Sequence, residues 1–479
     1  MHTFFSCIEN HYRTEKPALL SANGATVGWD ELLERGQRFA ATLPAPEMEG
    51  AIAILATERH REFLVGLLGA WAAGYSVFPV AAWKGTEVES LRREIPAPSL
   101  LLLGEGSRVN QSSLEASWLL KATPIECDSR KTMPIAAIPG NRLALLLATS
   151  GSTAAPRILG FRHQDLFAAA AIDLPGLQGV QSILNLRPLY TSGGTNTLWA
   201  SLRYGLTTAL STRATSLPHI DSLRAIETDL IVASPSWLRT MMLTLKEEDK
   251  LKPSQLFFGG ARLREEELSR LRNAGLSPFM RYGFTECAHV LSLVDHTVPN
   301  SIEINNIGPI LPGIEWRIED GFLAVSSPGM ASSCFRGGRE NELCETSWYR
   351  SDDKVNVNPK GELLLNGREY EQILSAGFRF TPVEIEEEIM RTGLVADCAV
   401  TALPDALYGQ RAAALVVQAP GQDPLTLPFL LERELSTRLS AYKLPVRIVV
   451  TSQLPRSPSG KRIESRVRKL IRLAKPQGR

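Results

Sequence analysis

Between Thr149 and Arg157 the chain reads Thr-Ser-Gly-Ser-Thr-Ala-Ala-Pro-Arg, directly after the apolar run Leu143–Ala148. Hydroxyls and backbone N–H groups on small residues can surround phosphate oxygens, and a guanidinium offsets their charge. The spacing is not that of a Walker A loop, because G-x-x-x-x-G-K-[ST] cannot be fitted here. Two roles fit these residues taken alone: a cradle for a polyphosphate, or an ordinary polar loop closing a core strand. Three further segments bring glycines, hydroxyls and acids together: Phe258-Gly-Gly-Ala261, Arg281-Tyr-Gly-Phe-Thr-Glu286 and Trp348-Tyr-Arg-Ser-Asp-Asp-Lys354. Gly367-Arg368, Gly377-Phe-Arg379, Glu384-Ile-Glu386 and Leu454-Pro-Arg-Ser-Pro-Ser-Gly-Lys461 follow in order.

Such side chains need rigid elements behind them, and the apolar pattern supplies candidates. Strand-like runs at Ala51–Ala56, Leu100–Leu103, Leu143–Thr149, Leu206–Leu210, Leu230–Ala233 and Leu256–Phe258 alternate with amphipathic stretches. The stretches Trp29–Leu43, Gln164–Ala171, Pro235–Leu245 and Leu263–Ala274 read as helices, so βαβ units with mostly parallel sheets are expected. From about Ile304 short strands and turns predict a small antiparallel sheet or barrel, with a further strand at Glu362–Leu365. Mixed α/β texture returns after Gly367-Arg368. There Thr381-Pro382-Val383-Glu384 combines a Thr N-cap, Pro at the first helical position and Glu three residues after the cap. A boundary at Gly367–Tyr370 divides the chain into residues 1–367 and 368–479.

A length of 479 residues suggests about three folding units on the usual domain size. The 52 Lys and Arg against 51 Asp and Glu leave a net charge of +1, which argues against a dedicated nucleic-acid binder. Six scattered cysteines form no C-x-x-C pair, so no zinc site or disulfide framework is expected, and a reducing cytoplasm is the simplest setting. The charge-free stretch Leu64–Trp83 is long enough for a membrane span, yet it contains Gly66, Gly69, Gly74, Ser76 and Pro79. It is read instead as a buried helix capped at Gly74 and followed by a strand, Tyr75–Val80.

The ordered series of motifs resembles the ANL superfamily of adenylate-forming enzymes: acyl-CoA and aryl-CoA synthetases, peptide-synthetase adenylation domains and luciferases. The resemblance covers nearly the whole chain, from Ala25-Thr-Val-Gly-Trp-Asp-Glu-Leu32 and Gly69-Ala-Trp-Ala-Ala-Gly74 onward. It implies a large N-terminal part of two α/β subdomains and a small β-barrel-like unit, then a mobile α+β lid. It also implies activation of a carboxylic acid by ATP and Mg²⁺ as acyl-AMP, then transfer to the thiol of CoA or of carrier-protein phosphopantetheine. Thr149, Ser150, Gly151, Ser152, Thr153 and Arg157 would then surround the β- and γ-phosphates. Here Ala154 replaces the usual glycine and Arg157 the usual lysine. Gly259, Gly260 and Ala261 would line the adenine and acyl pocket, and Tyr282, followed by Gly283, would stack on adenine. Thr285 would contact the α-phosphate and Glu286 would help hold Mg²⁺. Asp353 and Arg368 would sit at the ribose, with Ser351-Asp352-Asp353 replacing the usual Thr-Gly-Asp. Lys461 would carry the first step.

The second half departs from the pattern. Tyr370 stands where the hinge usually has Asp or Lys, and Leu374 replaces a common lysine, although Gly377 of a pantetheine tunnel is retained. Asn185–Gly194 contains no acid to bind a substrate amino group, which disfavours a simple α-amino acid. Thr191 occupies the position of a usual histidine, Gly193 and Gly194 leave space, and Tyr190 and Trp199 offer an apolar wall. Fatty, aryl and short acids all fit. A stand-alone amino-acid adenylation enzyme and a non-catalytic nucleotide- or acyl-binding scaffold are the alternatives to an acid–thiol ligase. The tail Lys461–Arg479 carries eight basic residues and only Glu464 as an acid, either as a solvated helix or as a face for an acidic carrier protein.

Overall fold

The computed structural model describes residues 4–474 apart from 13–15, 22–23, 58, 81–90, 97, 105–110, 119, 126–130, 135–137, 150–156, 173, 211–222, 225, 253, 261, 300–304, 345–346, 369–371 and 456–463. Its contacts divide the chain into two units. One comprises Met1–Ala82, Arg92–Ala148 and Ile158–Glu369, and the other Trp83–Leu91, Thr149–Arg157 and Tyr370–Arg479.

Two eight-stranded sheets dominate the first unit. One runs, edge to edge, Ser292–Asp295, Leu276–Tyr282, Ser254–Gly259, Leu230–Ala233, Ser182–Asn185, Thr207–Leu210, Leu19–Ser21, Thr26–Val27. Its six inner strands are parallel and its two edges antiparallel. The other begins with Arg339–Glu342 and Ser333–Arg336, then continues through Arg157–Arg162, Leu143–Thr149, Ser76–Pro79, Ile52–Ala56 and Leu100–Leu103 to Ala122–Pro124. Continuous apolar runs such as Ile52–Ala56, buried at every position, belong to parallel strands covered on both faces.

The charge-free stretch resolves as the pattern predicts. His60–Ala73 is a helix buried from Phe63 to Trp71, and Gly74 closes it in the left-handed conformation at φ 97°. Its N–H reaches the carbonyls of Ala70 and Trp71. The buried strand Ser76–Pro79 then pairs parallel with Ile52–Ala56. Among the described residues no helix is long and apolar enough to cross a membrane. The aromatic centre of this core joins Phe4, Trp71 and Trp199, with ring centroids 6.0–6.2 Å apart.

A five-stranded antiparallel sheet follows in the order Asn306–Gly308, Leu363–Arg368, Tyr349–Val357, Phe322–Ser326, Glu315–Glu319. Its register sets Asp353 opposite Arg368.

The second unit is built on Gly409–Gln418 and its neighbours. Ile373–Ser375 and Val395–Asp405 pair with this strand antiparallel, and Ile448–Thr451 parallel. Thr381 Oγ1 accepts from the Glu384 N–H at 3.3 Å and the Glu384 carboxylate accepts from the Thr381 N–H at 2.9 Å, so the reciprocal cap forms as its residues dictate. The helix Glu464–Leu473 is more than a solvated tail. Val467 and Ile471 are buried with Ala399, Ala413 and Leu415 of the sheet, while Leu470 and Leu473 stay exposed. Burial of two branched side chains contributes about 1.5–3 kcal/mol each.

Candidate active site

Loops at the carboxyl ends of parallel strands are where open α/β sheets place ligands. The strand Leu276–Tyr282 delivers Tyr282 to such an end, and the turn after it presents Thr285 and Glu286. Tyr282 is buried, and its hydroxyl donates to Asp353 Oδ2 at 2.7 Å. One contact therefore fixes the carboxylate on the antiparallel sheet to the end of the large parallel sheet. Asp353 is held from behind as well. Its N–H donates to Ser351 Oγ at 3.3 Å, and Ser351 Oγ donates to the Leu323 carbonyl at 2.9 Å. The Ser-for-Thr replacement thus preserves an ordered strand at this position.

Glu286 is also buried, and its Oε1 accepts from the Tyr349 hydroxyl at 2.8 Å. The Tyr349 ring lies 5.4 Å from Phe284, and Phe284 meets Tyr282 edge-on at 6.4 Å. Thr285 Oγ1 lies 3.3 Å from Ser192 Oγ, at the start of the helix Ser192–Tyr204. Tyr282 thus meets Asp353 directly, Phe284 and Tyr349 link Tyr282 to Glu286, and Thr285, next to Glu286 in the chain, rests against Ser192. Burial lowers the nearby His289 to about 4, with its ring nitrogens at 2.8 Å from the Val290 carbonyl and from Ser327 Oγ.

The glycines have reasons beyond room for a ligand. A Cβ on Gly259 would stand 2.4 Å from the Arg281 carbonyl, so the neighbouring strand requires glycine there. Gly260 adopts φ +89°, which favours glycine, and among the described residues a Cβ on it would approach Arg187 Nη2, at 3.9 Å. A Cβ on Gly283 would lie 3.3 Å from the His289 carbonyl. Gly193 and Gly194 do not leave empty space. A Cβ would fall 2.4 Å from Arg187 Cζ in the first case and 2.0 Å from the Pro188 carbonyl in the second. Thr191 Oγ1 donates to Pro188 O at 2.7 Å and Tyr190 is half-buried. Trp199 is fully buried in the aromatic core, so it cannot wall a pocket.

Thr149 ends its strand with a buried Oγ1 that has no hydrogen-bond partner among the described residues, and Arg157 opens the next strand. A buried hydroxyl of this kind suits a phosphate oxygen. Ser150, Gly151, Ser152, Thr153, Ala154, Ala261, Tyr370 and Lys461 lie outside the described residues, and of Arg368 only the backbone is described. Gly377 at φ +86° and Ala376 at φ +54° form the two-residue turn between Ile373–Ser375 and Phe378–Phe380. Among the described residues no cluster of three or more His, Cys, Asp or Glu could hold a metal. Mg²⁺ needs only one or two carboxylates when phosphates and water supply the rest, so Glu286 fits it.

Sequence reasoning missed four supporting residues. Tyr349 positions Glu286, and Ser192 touches Thr285. Asn185 Oδ1 accepts from the Arg187 N–H at 3.0 Å, while its Nδ2 donates to the Gly194 carbonyl at 2.6 Å. Arg187 Nη1 donates to the Gly259 carbonyl at 3.2 Å. The available signal was position, because Asn185-Leu-Arg leaves the carboxyl end of a central parallel strand.

Known proteins share this architecture. The AMP-binding enzyme family model matches residues 9–330, and that of the AMP-binding enzyme C-terminal domain matches 384–461. The chain is 24% identical over 469 residues to the 2-succinylbenzoate–CoA ligase of Bacillus subtilis (strain 168), covering 92% of this chain and 93% of that protein. It is 26% identical over 515 residues to a salicyl-AMP ligase / salicyl-S-ArCP synthetase of Mycobacterium tuberculosis, covering 96% and 84%. In fold it is similar to a double mutant of the Bacillus subtilis o-succinylbenzoate CoA synthetase bound to a product analogue. The TM-score is 0.83 at 21% identity, over 97% of this chain and 98% of that one. The chain belongs to the AMP-binding enzyme family, the adenylate-forming enzymes of the ANL superfamily.

Proposed function

We propose that this adenylate-forming ligase couples a carboxylic acid to a thiol in two steps, the first driven by ATP. A carboxylate is a poor acyl donor because its leaving group would be oxide. A carboxylate oxygen attacks the α-phosphorus, the bond to the β-phosphate oxygen breaks, and pyrophosphate leaves. The acyl-AMP then yields its acyl group to a thiol, with AMP as the leaving group. The thiol belongs to CoA or to the phosphopantetheine of a carrier protein. The relatives support both acceptors, since one is named a CoA ligase and another a salicyl-S-ArCP synthetase.

The observation that carries the assignment is the buried Tyr282–Asp353 hydrogen bond, with Thr285 and Glu286 on the turn that follows. An aromatic ring and a fixed carboxylate suit adenine and the ribose hydroxyls, with Arg368 on the strand beside Asp353. Thr285 suits the α-phosphate. The segment from Thr149 through Ser150, Gly151, Ser152 and Thr153 to Arg157 would surround the outer phosphates. Mg²⁺ held by Glu286 would offset phosphate charge. Lys461 would stabilise the negative charge that develops between carboxylate and α-phosphate, and alignment would supply much of the rest. Residues 368–479 would act as the lid that carries Lys461, with Gly377 at a pantetheine tunnel and the cytoplasm as the setting.

Lys461→Ala provides the test. The variant is expected to lose acid-dependent ATP–pyrophosphate exchange while it keeps the melting temperature of the wild type. Near-normal exchange would remove Lys461 from the first step.

A further inference from the structure

The segment between the strand Ser182–Asn185 and the helix Ser192–Tyr204 contains a cation whose position is unusually well determined. Arg187 leaves the strand end with its backbone N–H tied to Asn185 Oδ1 at 3.0 Å. Its Nη1 donates to the Gly259 carbonyl at 3.2 Å. The guanidinium lies over Gly193, where any β-carbon would come within 2.4 Å of Cζ and 2.5 Å of Nη2. Asn185 is buried and its Nδ2 holds the Gly194 carbonyl at 2.6 Å, so one amide fixes both the arginine and the helix start that accommodates it. A Cβ on Gly260, next to the carbonyl that Arg187 holds, would lie in van der Waals contact with Arg187 Nη2 at 3.9 Å, so the guanidinium flanks this turn. The adjoining residue, Ser192, touches Thr285. The cation therefore borders the end of the sheet at which the acid is to be activated.

We infer that Arg187 selects acids that carry a second carboxylate. The inference rests on the adenylation assignment above and specifies its substrate class. A guanidinium is planar, permanently charged and carries five N–H donors, a geometry that matches a carboxylate in two parallel hydrogen bonds. An uncharged acyl chain gains nothing from that group and must lie against a polar wall. A diacid places one carboxylate at the α-phosphate and the other at Arg187, so the cation fixes which end reacts. Charge-assisted hydrogen bonds of this kind correspond to roughly 10- to 100-fold in affinity.

The test compares kcat/KM for ATP–pyrophosphate exchange between acids matched in carbon skeleton: succinate with butyrate, adipate with hexanoate, phthalate with benzoate. The wild-type protein is expected to favour the diacid in at least one pair by roughly 10-fold or more. Arg187→Gln keeps a donor for the Gly259 carbonyl but loses the charge, and the diacid-to-monoacid ratio should fall toward one. Arg187→Lys should restore part of the ratio. Gly193→Ala, which displaces the guanidinium without removing it, should lower the ratio as Gln does. A wild-type preference for the monoacid in every pair overturns the inference. So does an Arg187→Gln variant that loses both members of a pair by the same factor, which would make Arg187 a tether for Gly259 alone. Absence of exchange with every acid would overturn the adenylation assignment itself, an outcome distinct from exchange confined to monoacids.

Discussion

Replacement of Tyr282 by Phe removes one hydroxyl and leaves the ring. In the wild type that hydroxyl donates to Asp353 Oδ2 at 2.7 Å, with Tyr282 7% exposed and Asp353 3% exposed. A hydrogen bond to a buried carboxylate contributes about 1.5–3 kcal/mol, and its loss leaves the acceptor undercompensated. A loss of about 2 kcal/mol in a unit of this size lowers the melting temperature by about 3 °C. The functional effect should be larger on nucleotide binding than on turnover. A ribose contact acts in ground and transition state alike, so the KM for ATP rises roughly tenfold while kcat changes little. Exchange kinetics and thermal unfolding of Tyr282→Phe, Asp353→Asn and the double variant form a complete cycle. A coupling of about 1 kcal/mol or more in both readouts is expected. Losses that add to within about 0.3–0.5 kcal/mol would show that the hydroxyl does not position the carboxylate.

Tyr349→Phe frees the Glu286 carboxylate from its 2.8 Å partner. The Mg²⁺ concentration for half-maximal exchange should rise roughly tenfold, and an unchanged Mg²⁺ requirement would contradict the role of Glu286. Burial lowers His60 to about 4, His163 to about 3 and His289 to about 4, so all three are neutral when folded and gain protons on unfolding below their ordinary 6.5. Their stabilisation is complete above pH 6.5 and falls with pH, by about 2 kcal/mol each at pH 5. Asp165, raised by burial to about 6, works in the opposite sense and returns about 1.3 kcal/mol between pH 7 and 5. Urea unfolding should therefore show a net loss of about 4–5 kcal/mol at pH 5 relative to pH 7, and equal stability at the two pH values would refute the assignment.

What the sequence disclosed was mostly local. The Thr381–Glu384 cap and the Gly74 helix end depend on residues within one turn of each other, and both form as read. The alternation of parallel strands and helices was equally clear, because strands covered on both faces leave continuous apolar runs. Contacts set by register were not legible. Tyr282 and Asp353 are 71 residues apart and meet only once two different sheets are built. Gly193 looked like space for a ligand, yet the space is filled by Arg187, six residues earlier, after the chain turns at Pro188. Trp199 showed only that it was aromatic, and its burial with Phe4 and Trp71 depends on a segment nearly two hundred residues away. The apolar side of Glu464–Leu473 was visible in the sequence. That it would cover Ala399, Ala413 and Leu415 was not, because the residues that receive it lie on strands distant in sequence.

The central claim is acid activation by ATP, and isotope exchange measures it directly. The purified protein is incubated with ATP, Mg²⁺ and labelled pyrophosphate, with and without each of a panel of carboxylic acids. Label should enter ATP only when a particular acid is present, and the same acid should form a thioester once CoA or a phosphopantetheinylated carrier protein is added. No acid-dependent label in ATP across fatty, aryl, short and amino acids would contradict the claim, whatever the fold resembles.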